Sequence, residues 1–264
     1  MSTALVTTTI LVFDSGLGGL TVLREIIKLH PDAGFVYVAD DAFFPYGSHV
    51  EPHLVSRVVP LMGELIETHH PDLIVIACNT ASTLVLPHLR ARYRIPFVGT
   101  VPAIKPACAS SSSKLVSVLG TDATVGREYT RALIRDFANG SEVTLVGSAQ
   151  LAAYAEAQLY GNPVADALIA HELAPCFVAR GERRTDTVVL ACTHFPLLLA
   201  RLRQLSPWPV AFIDPAPAIA RRVVELSGAK SAKTSHARTR AFFTSGRPPT
   251  AGLAAALTSF GIDG

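Results

Sequence analysis

Short apolar runs, each closed by a polar or glycine-containing turn, recur along most of the chain. The first spans residues 9–13 and runs into Asp14-Ser15-Gly16-Leu17-Gly18-Gly19. Others span 35–39, 73–77, 97–98, 115–119, 143–146, 187–191 and 210–213. They are rich in β-branched residues and too short for helices, so they predict strands. Polar residues do not alternate within them, which predicts burial on both faces. Between the runs, apolar residues recur at helical spacing. Leu20, Leu23, Ile26 and Ile27 form one such stripe, and residues 54–66 and 129–137 carry others. Strands separated by helices predict an α/β fold with mainly parallel sheets flanked by helices.

The pattern also repeats. Leu73-Ile74-Val75-Ile76-Ala77-Cys78-Asn79-Thr80 resembles Val188-Val189-Leu190-Ala191-Cys192-Thr193-His194. Each is an apolar strand, then Ala-Cys, then hydroxyl, amide or imidazole groups. Another strand with a polar end lies upstream of each, 64 residues before Cys78 at Asp14 and 71 before Cys192 at Thr121. Two similar α/β domains are therefore expected, 1–98 plus 209–264 and 99–208, with the active site in the cleft between them. The proline-rich stretch 95–106 is the expected first crossing and 206–209 the second. The serine run 110–113 reads as a loop and 228–240 as an exposed polar connection.

Composition narrows the class. Apolar residues make up 49% of the 264 and charged residues 17%, the balance of a compact enzyme-like protein. A formal net charge of +2 gives no reason to expect nucleic acid or a membrane surface as partner. Residues 1–10 lack a secretory pattern, and no apolar run approaches the roughly 18 residues of a membrane span, so a cytoplasmic protein is expected. The four cysteines, 78, 108, 176 and 192, form no C-x-x-C pair. That argues against a metal centre and for free thiols.

In parallel α/β sheets ligands gather at the carboxyl ends of strands. Asp14-Ser15, Cys78-Asn79-Thr80, Thr121 with Thr124, and Cys192-Thr193-His194 all fall there. If two halves face each other, one cleft holds two thiols on opposite walls. Inverting a stereocentre by proton transfer needs that arrangement, since one face loses a proton and the other gains one. Asp14 is the candidate helper of Cys78, and His194 that of Cys192. Ser15, Asn79, Thr80 and Thr193 are candidates to bind substrate carboxylates. Plainer readings stand beside these. A cysteine at a strand end is often buried filler. The glycine-rich stretch after Asp14 lacks nucleotide-loop spacing and reads equally as a tight strand–helix turn. His69-His70 reads as a solvated helix end, and Cys108 and Cys176 as structural.

At these residues the sequence resembles the glutamate racemases of the aspartate/glutamate racemase superfamily. The resemblance rests on Val12–Gly19, Pro45-Tyr46-Gly47, Ala77–Thr83, Ala191–Leu197, Val101–Pro106 and Ile213-Asp214-Pro215, in family order. It implies two α/β domains closing over glutamate, Cys78 and Cys192 as the catalytic pair, and Asp14 and His194 as helpers. Glu156, in Ala155-Glu156-Ala157, matches a family carboxylate on the side of the second thiol. Ser15, Tyr46, Gly47, Asn79, Thr80 and Thr193 would contact the substrate, joined by Thr121, Thr124, Asp14 and His194. No cofactor is expected. The product, D-glutamate, would feed peptidoglycan synthesis.

Two positions depart from the common pattern: Ser148-Ala149 stands where many members have Cys-Pro, and Ala191 where many have Gly. The segments Gly147–Gln150 and Asp40–Gly47 resemble the Gram-negative branch. That likeness brings in a peptidoglycan precursor, a UDP-muramoyl-alanine, as a candidate activator. The family resemblance as a whole makes a homodimer a candidate assembly, since members are often dimers and some act as monomers. The nearest rival is an aspartate racemase. Such proteins usually carry Glu after the second Cys-Thr, so His194 favours glutamate. A non-catalytic binding protein on the same scaffold is the rival from another class.

Overall fold

In a computed structural model, residues 8–228 and 239–262 are described. The strands are β1 (Thr9–Asp14), β2 (Gly34–Ala39), β3 (Leu73–Ile76), β4 (Phe97–Gly99), β5 (Leu115–Gly120), β6 (Glu142–Gly147), β7 (Ala179–Arg180), β8 (Arg183–Arg184), β9 (Thr187–Ala191), β10 (Ala211–Ile213) and β11 (Thr239–Phe243). The helices are α1 (Leu20–Leu29), α2 (Glu51–His69), α3 (Asn79–Leu84), α4 (Leu86–Arg92), α5 (Ile104–Ser110) and α6 (Asp122–Val125). They continue with α7 (Glu128–Phe137), α8 (Leu151–Leu159), α9 (Asp166–Leu173), α10 (Leu199–Gln204), α11 (Ala216–Ser227) and α12 (Ala251–Ser259). Among the described residues no helix is long and apolar enough to cross a membrane.

The strands form two parallel sheets, in the orders β11-β2-β1-β3-β4 and β10-β9-β5-β6, and β7 and β8 form a small antiparallel hairpin. Burial explains why the strand runs do not alternate. Ile10 and Val12 of β1 enter one core and Leu11 and Phe13 another, on the opposite face of the same sheet. In the second sheet Leu119, Val188 and Leu190 face one core, and Val116, Val118 and Val189 the other. Helix α1 buries Leu20, Val22, Leu23 and Ile26 and stops just before Pro31, which cannot continue a helix. The α/β expectation is met: parallel sheets, each covered by helices.

The first crossing falls between β4 and β5, inside or next to the proline-rich stretch. β10 lies within 209–264, yet it pairs with β9 in the second sheet. The chain rejoins the first sheet through α11, which packs on α1, and through β11 on β2. β11 corrects the reading of the tail: residues 239–240 open a strand rather than closing an exposed connection. The rest of that expected connection, 229–238, lies outside the described residues, as do residues 1–7. The serine run is a loop with a defined anchor. The Ser111 hydroxyl and the Ser112 and Ser113 amides all donate to Asp186, at 2.7, 2.8 and 2.8 Å.

Candidate active site

The polar ends of β1, β3, β5 and β9 converge between the two sheets. A small cavity is lined there by Ser15, Phe44, Pro45, Tyr46, Gly47, Cys78, Asn79, Thr80, Thr121, Ala152, Cys192, Thr193 and His194. Both cysteines are free thiols, almost wholly buried. Each reaches the cavity because a strand ends one or two residues before it and a helical turn starts at once. Cys78 caps α3, its Sγ accepting the Ala81 amide at 3.5 Å.

The two thiols are backed differently. Cys78 Sγ lies 3.7 Å from the Ser15 hydroxyl, which lies 3.5 Å from Asp14 Oδ1. Asp14 is wholly buried and accepts the amides of Ser15 at 2.8 Å and Gly19 at 2.5 Å, and the Thr193 hydroxyl at 3.3 Å. Burial pushes its carboxyl above the ordinary range, against the pull of His194 and of the two amides. Burial, with Asp14 adding to it, also pushes the Cys78 thiol far up. On the other wall, Cys192 Sγ lies 3.8 Å from His194 Nδ1. The far ring nitrogen lies 3.0 Å from Glu156 Oε1. Burial alone would lower the His194 pKa. The partners Cys192 and Glu156, with Asp14 nearby, raise it well above the ordinary histidine value.

The Glu156–His194 pair belongs to the second half but sits against the loop after β1. The Leu17 amide donates to Glu156 Oε1 at 2.7 Å, and the Gly18 amide nitrogen lies 3.1 Å from His194 Nε2. That contact explains the glycine-rich turn. A Cβ on Gly16 would collide with Glu156, and one on Gly18 would come within 2.5 Å of His194 Nδ1. The stretch is a seat for the opposite half's side chains.

Thr80, Thr121 and Thr124 form a hydroxyl triangle across the cleft, with Oγ1 separations of 3.2, 3.4 and 3.0 Å. Among the described residues, neither polar atom of the buried Asn79 amide has a hydrogen-bond partner. Such groups are costly unless something supplies hydrogen bonds.

A profile of the Asp/Glu/hydantoin racemases matches residues 20–223. The chain belongs to that family. A glutamate racemase of Brucella ovis is 54% identical over 256 residues, 96% of this chain and 92% of the relative. One from Brucella anthropi is 59% identical over 218 residues, covering 82% and 78%. The crystal structure of Escherichia coli glutamate racemase, in complex with L-glutamate and the activator UDP-MurNAc-Ala, has a TM-score of 0.89 at 40% identity, covering 98% of this chain and 97% of that one.

Of the site residues expected from sequence, ten line the cavity: Ser15, Tyr46, Gly47, Cys78, Asn79, Thr80, Thr121, Cys192, Thr193 and His194. Asp14 and Glu156 stand behind it, and Thr124 reaches it through Thr80 and Thr121. Asp14 has no direct hydrogen bond to Cys78 among the described residues; Ser15 intervenes. Phe44, Pro45 and Ala152 also line the cavity and were not expected. Phe44 and Pro45 adjoin the Tyr-Gly pair of a family motif, but nothing in the composition of α8 marks Ala152. Cys108 and Cys176 are buried in the two cores of the second sheet and do not line the cavity. His69 closes α2, packed on Phe242 at 4.7 Å between ring centres.

Proposed function

We propose that this racemase interconverts L- and D-glutamate without a cofactor, with Cys78 and Cys192 exchanging protons at opposite faces of the α-carbon. The observation that carries the reading is the unequal backing of two buried thiols that line one cavity. A reaction with one base and one acid needs one thiolate and one thiol at rest. Burial and Asp14 disfavour the Cys78 thiolate, so Cys78 is the resting acid. His194, whose pKa its partners raise well above the ordinary histidine value, lies 3.8 Å from the Cys192 sulfur and stabilises negative charge there, which suits Cys192 to the role of base.

In the forward direction the Cys192 thiolate removes the α-proton, and the electron pair of the C–H bond passes to the α-carbon. The Cys78 thiol then delivers its proton to the opposite face. Cys192 ends as a thiol and Cys78 as a thiolate, so the next turnover runs from the other side or waits for protons to redistribute. Asn79, Thr80, Ser15 and Thr193 offer the hydrogen bonds that two carboxylates and an ammonium require, and the orphaned Asn79 amide is the clearest of them. Glu156 holds His194 in place. The reading extends to D-glutamate supply for peptidoglycan. It also extends to activation by a UDP-muramoyl-alanine, on the likeness to the E. coli enzyme; rate measurements with and without that precursor test the second point.

Circular dichroism of each enantiomer in deuterated water tests the scheme. The mirror image should form with deuterium at the α-carbon. Cys78→Ser and Cys192→Ser should each lower the rate by roughly 10²–10⁴-fold, the usual worth of a general acid or base. Full activity in either variant would overturn the two-thiol mechanism. Turnover of aspartate as fast as glutamate would overturn the substrate.

A further inference from the structure

Behind the lip of the cavity lies a carboxylate that the proton-transfer scheme does not use. Asp40 follows the last residue of β2 and is wholly buried. Its oxygens accept four hydrogen bonds. Arg57 on α2 donates two, from Nε at 3.1 Å and Nη2 at 2.6 Å. The Tyr46 hydroxyl donates a third at 2.7 Å, and Thr244, the residue after β11, a fourth at 2.6 Å. A second tie runs beside the first: Asp41 accepts the Ser245 amide at 2.9 Å and the Ser245 hydroxyl at 2.5 Å.

Tyr46 and Gly47 line the cavity, whereas Asp40 does not. The Tyr46 ring is packed between Phe13 and Phe43, at 6.4 and 6.3 Å between centres, and its phenol proton is committed to Asp40. At the tip of the lip, a Cβ on Gly47 would stand 3.0 Å from the Thr121 side chain of the other half. The position of the lip therefore sets the width of the cleft at that point. An unpaired buried carboxylate would be strongly disfavoured. Burial works to raise the Asp40 pKa, but Arg57, Thr244 and Tyr46 outweigh it and hold the group below the ordinary carboxylate range.

We propose that Asp40 is a positioning residue: clamped by Arg57 and Thr244, it fixes the Tyr46 phenol and with it the Pro45–Gly47 lip at the spacing that accepts an amino-dicarboxylate. The proposal rests on the reading of the site as a glutamate racemase. It acts through Tyr46 and assigns Asp40 no part in moving the α-proton.

The test compares wild type with Asp40→Asn, Arg57→Gln, Tyr46→Phe and the Asp40→Asn/Tyr46→Phe double variant, using both glutamate enantiomers. Asparagine keeps the volume of Asp40 but gives up the charge-assisted bonds. KM should rise about tenfold in both directions, with kcat within about threefold, the effect of losing one such bond on substrate placement. Tyr46→Phe should raise KM in the same sense. The double variant should be no worse than Asp40→Asn alone, because one acts through the other. Arg57 is partly exposed, so Arg57→Gln carries the test if Asp40→Asn does not fold. A fall in kcat at unchanged KM, an additive double variant, or a lowered melting temperature with wild-type KM would each overturn the proposal. A wild-type protein that leaves both glutamate enantiomers unchanged removes the functional reading itself, and that result stands before any variant is compared.

Discussion

The glycine at position 18 is where the site depends most on a missing side chain. Its φ is not positive, so the backbone there would accept alanine without strain. The obstacle is His194, whose Nδ1, backbone nitrogen and Cγ the added carbon would meet at 2.5, 2.6 and 2.7 Å. Gly18→Ala should therefore lower the melting temperature, because the backbone and ring of buried His194 must both give way, and should lose at least about tenfold in racemisation. Assays beside a thermal melt check both halves of that statement. The glycine itself was legible in the sequence, but as a strand–helix turn. Its reason comes from a residue 176 positions away, which no local pattern contains. Cys108 gives the opposite case. It is buried in a core of the second sheet and does not line the cavity, so Cys108→Ser should leave the rate unchanged. His194 also carries a pH signature. Its folded pKa lies above the unfolded value, so its contribution to stability is complete below about pH 6.5 and is lost as pH rises through the elevated folded value. Melting curves from pH 6 upward should fall less steeply in His194→Gln than in wild type.

At the scale of elements, the strands buried on both faces were plain from sequence because their apolar runs are continuous. β11 was not. It is an edge strand whose residues alternate between buried and exposed, and it begins inside a polar stretch. The strand matters because it delivers Thr244 and Ser245, which tie the tail to Asp40 and Asp41. The serine loop makes a cleaner test of an element held by one group. Asp186 also accepts the Thr187 hydroxyl, at 2.9 Å, besides its three serine donors. Asp186→Ala removes the acceptor of those donors, two of them backbone amides on an exposed to half-buried loop that water can still reach. Urea unfolding should show a loss of roughly 0.5–1.5 kcal/mol, with kcat and KM unchanged because the loop does not line the cavity.

The whole molecule is two parallel sheets, each delivering one thiol to a shared cavity. The repeat of Ala-Cys strand ends foretold that much, because the same local physics builds both. The repeat could not foretell how the halves meet. The seam runs through Glu156 and His194 on the Leu17 and Gly18 amides, and through the threonine triangle, and these pair residues with no shared motif. Glu156→Gln should weaken the seam. Hydrogen exchange of the Leu17 amide, which donates to Glu156, should speed up while the strand cores keep their protection.

The unequal backing of the two thiols has a limit set by the substrate. Mirror images have equal free energy, so the equilibrium ratio is unity whatever the protein does. The values of kcat/KM in the two directions must therefore match, in the wild type and in every variant. An imidazole behind one sulfur and a serine relay behind the other can divide kcat from KM differently for the two hands of glutamate. They cannot make the enzyme prefer a product. A left–right asymmetry built into the protein thus sets only how full the site stands with each hand, never where the reaction comes to rest.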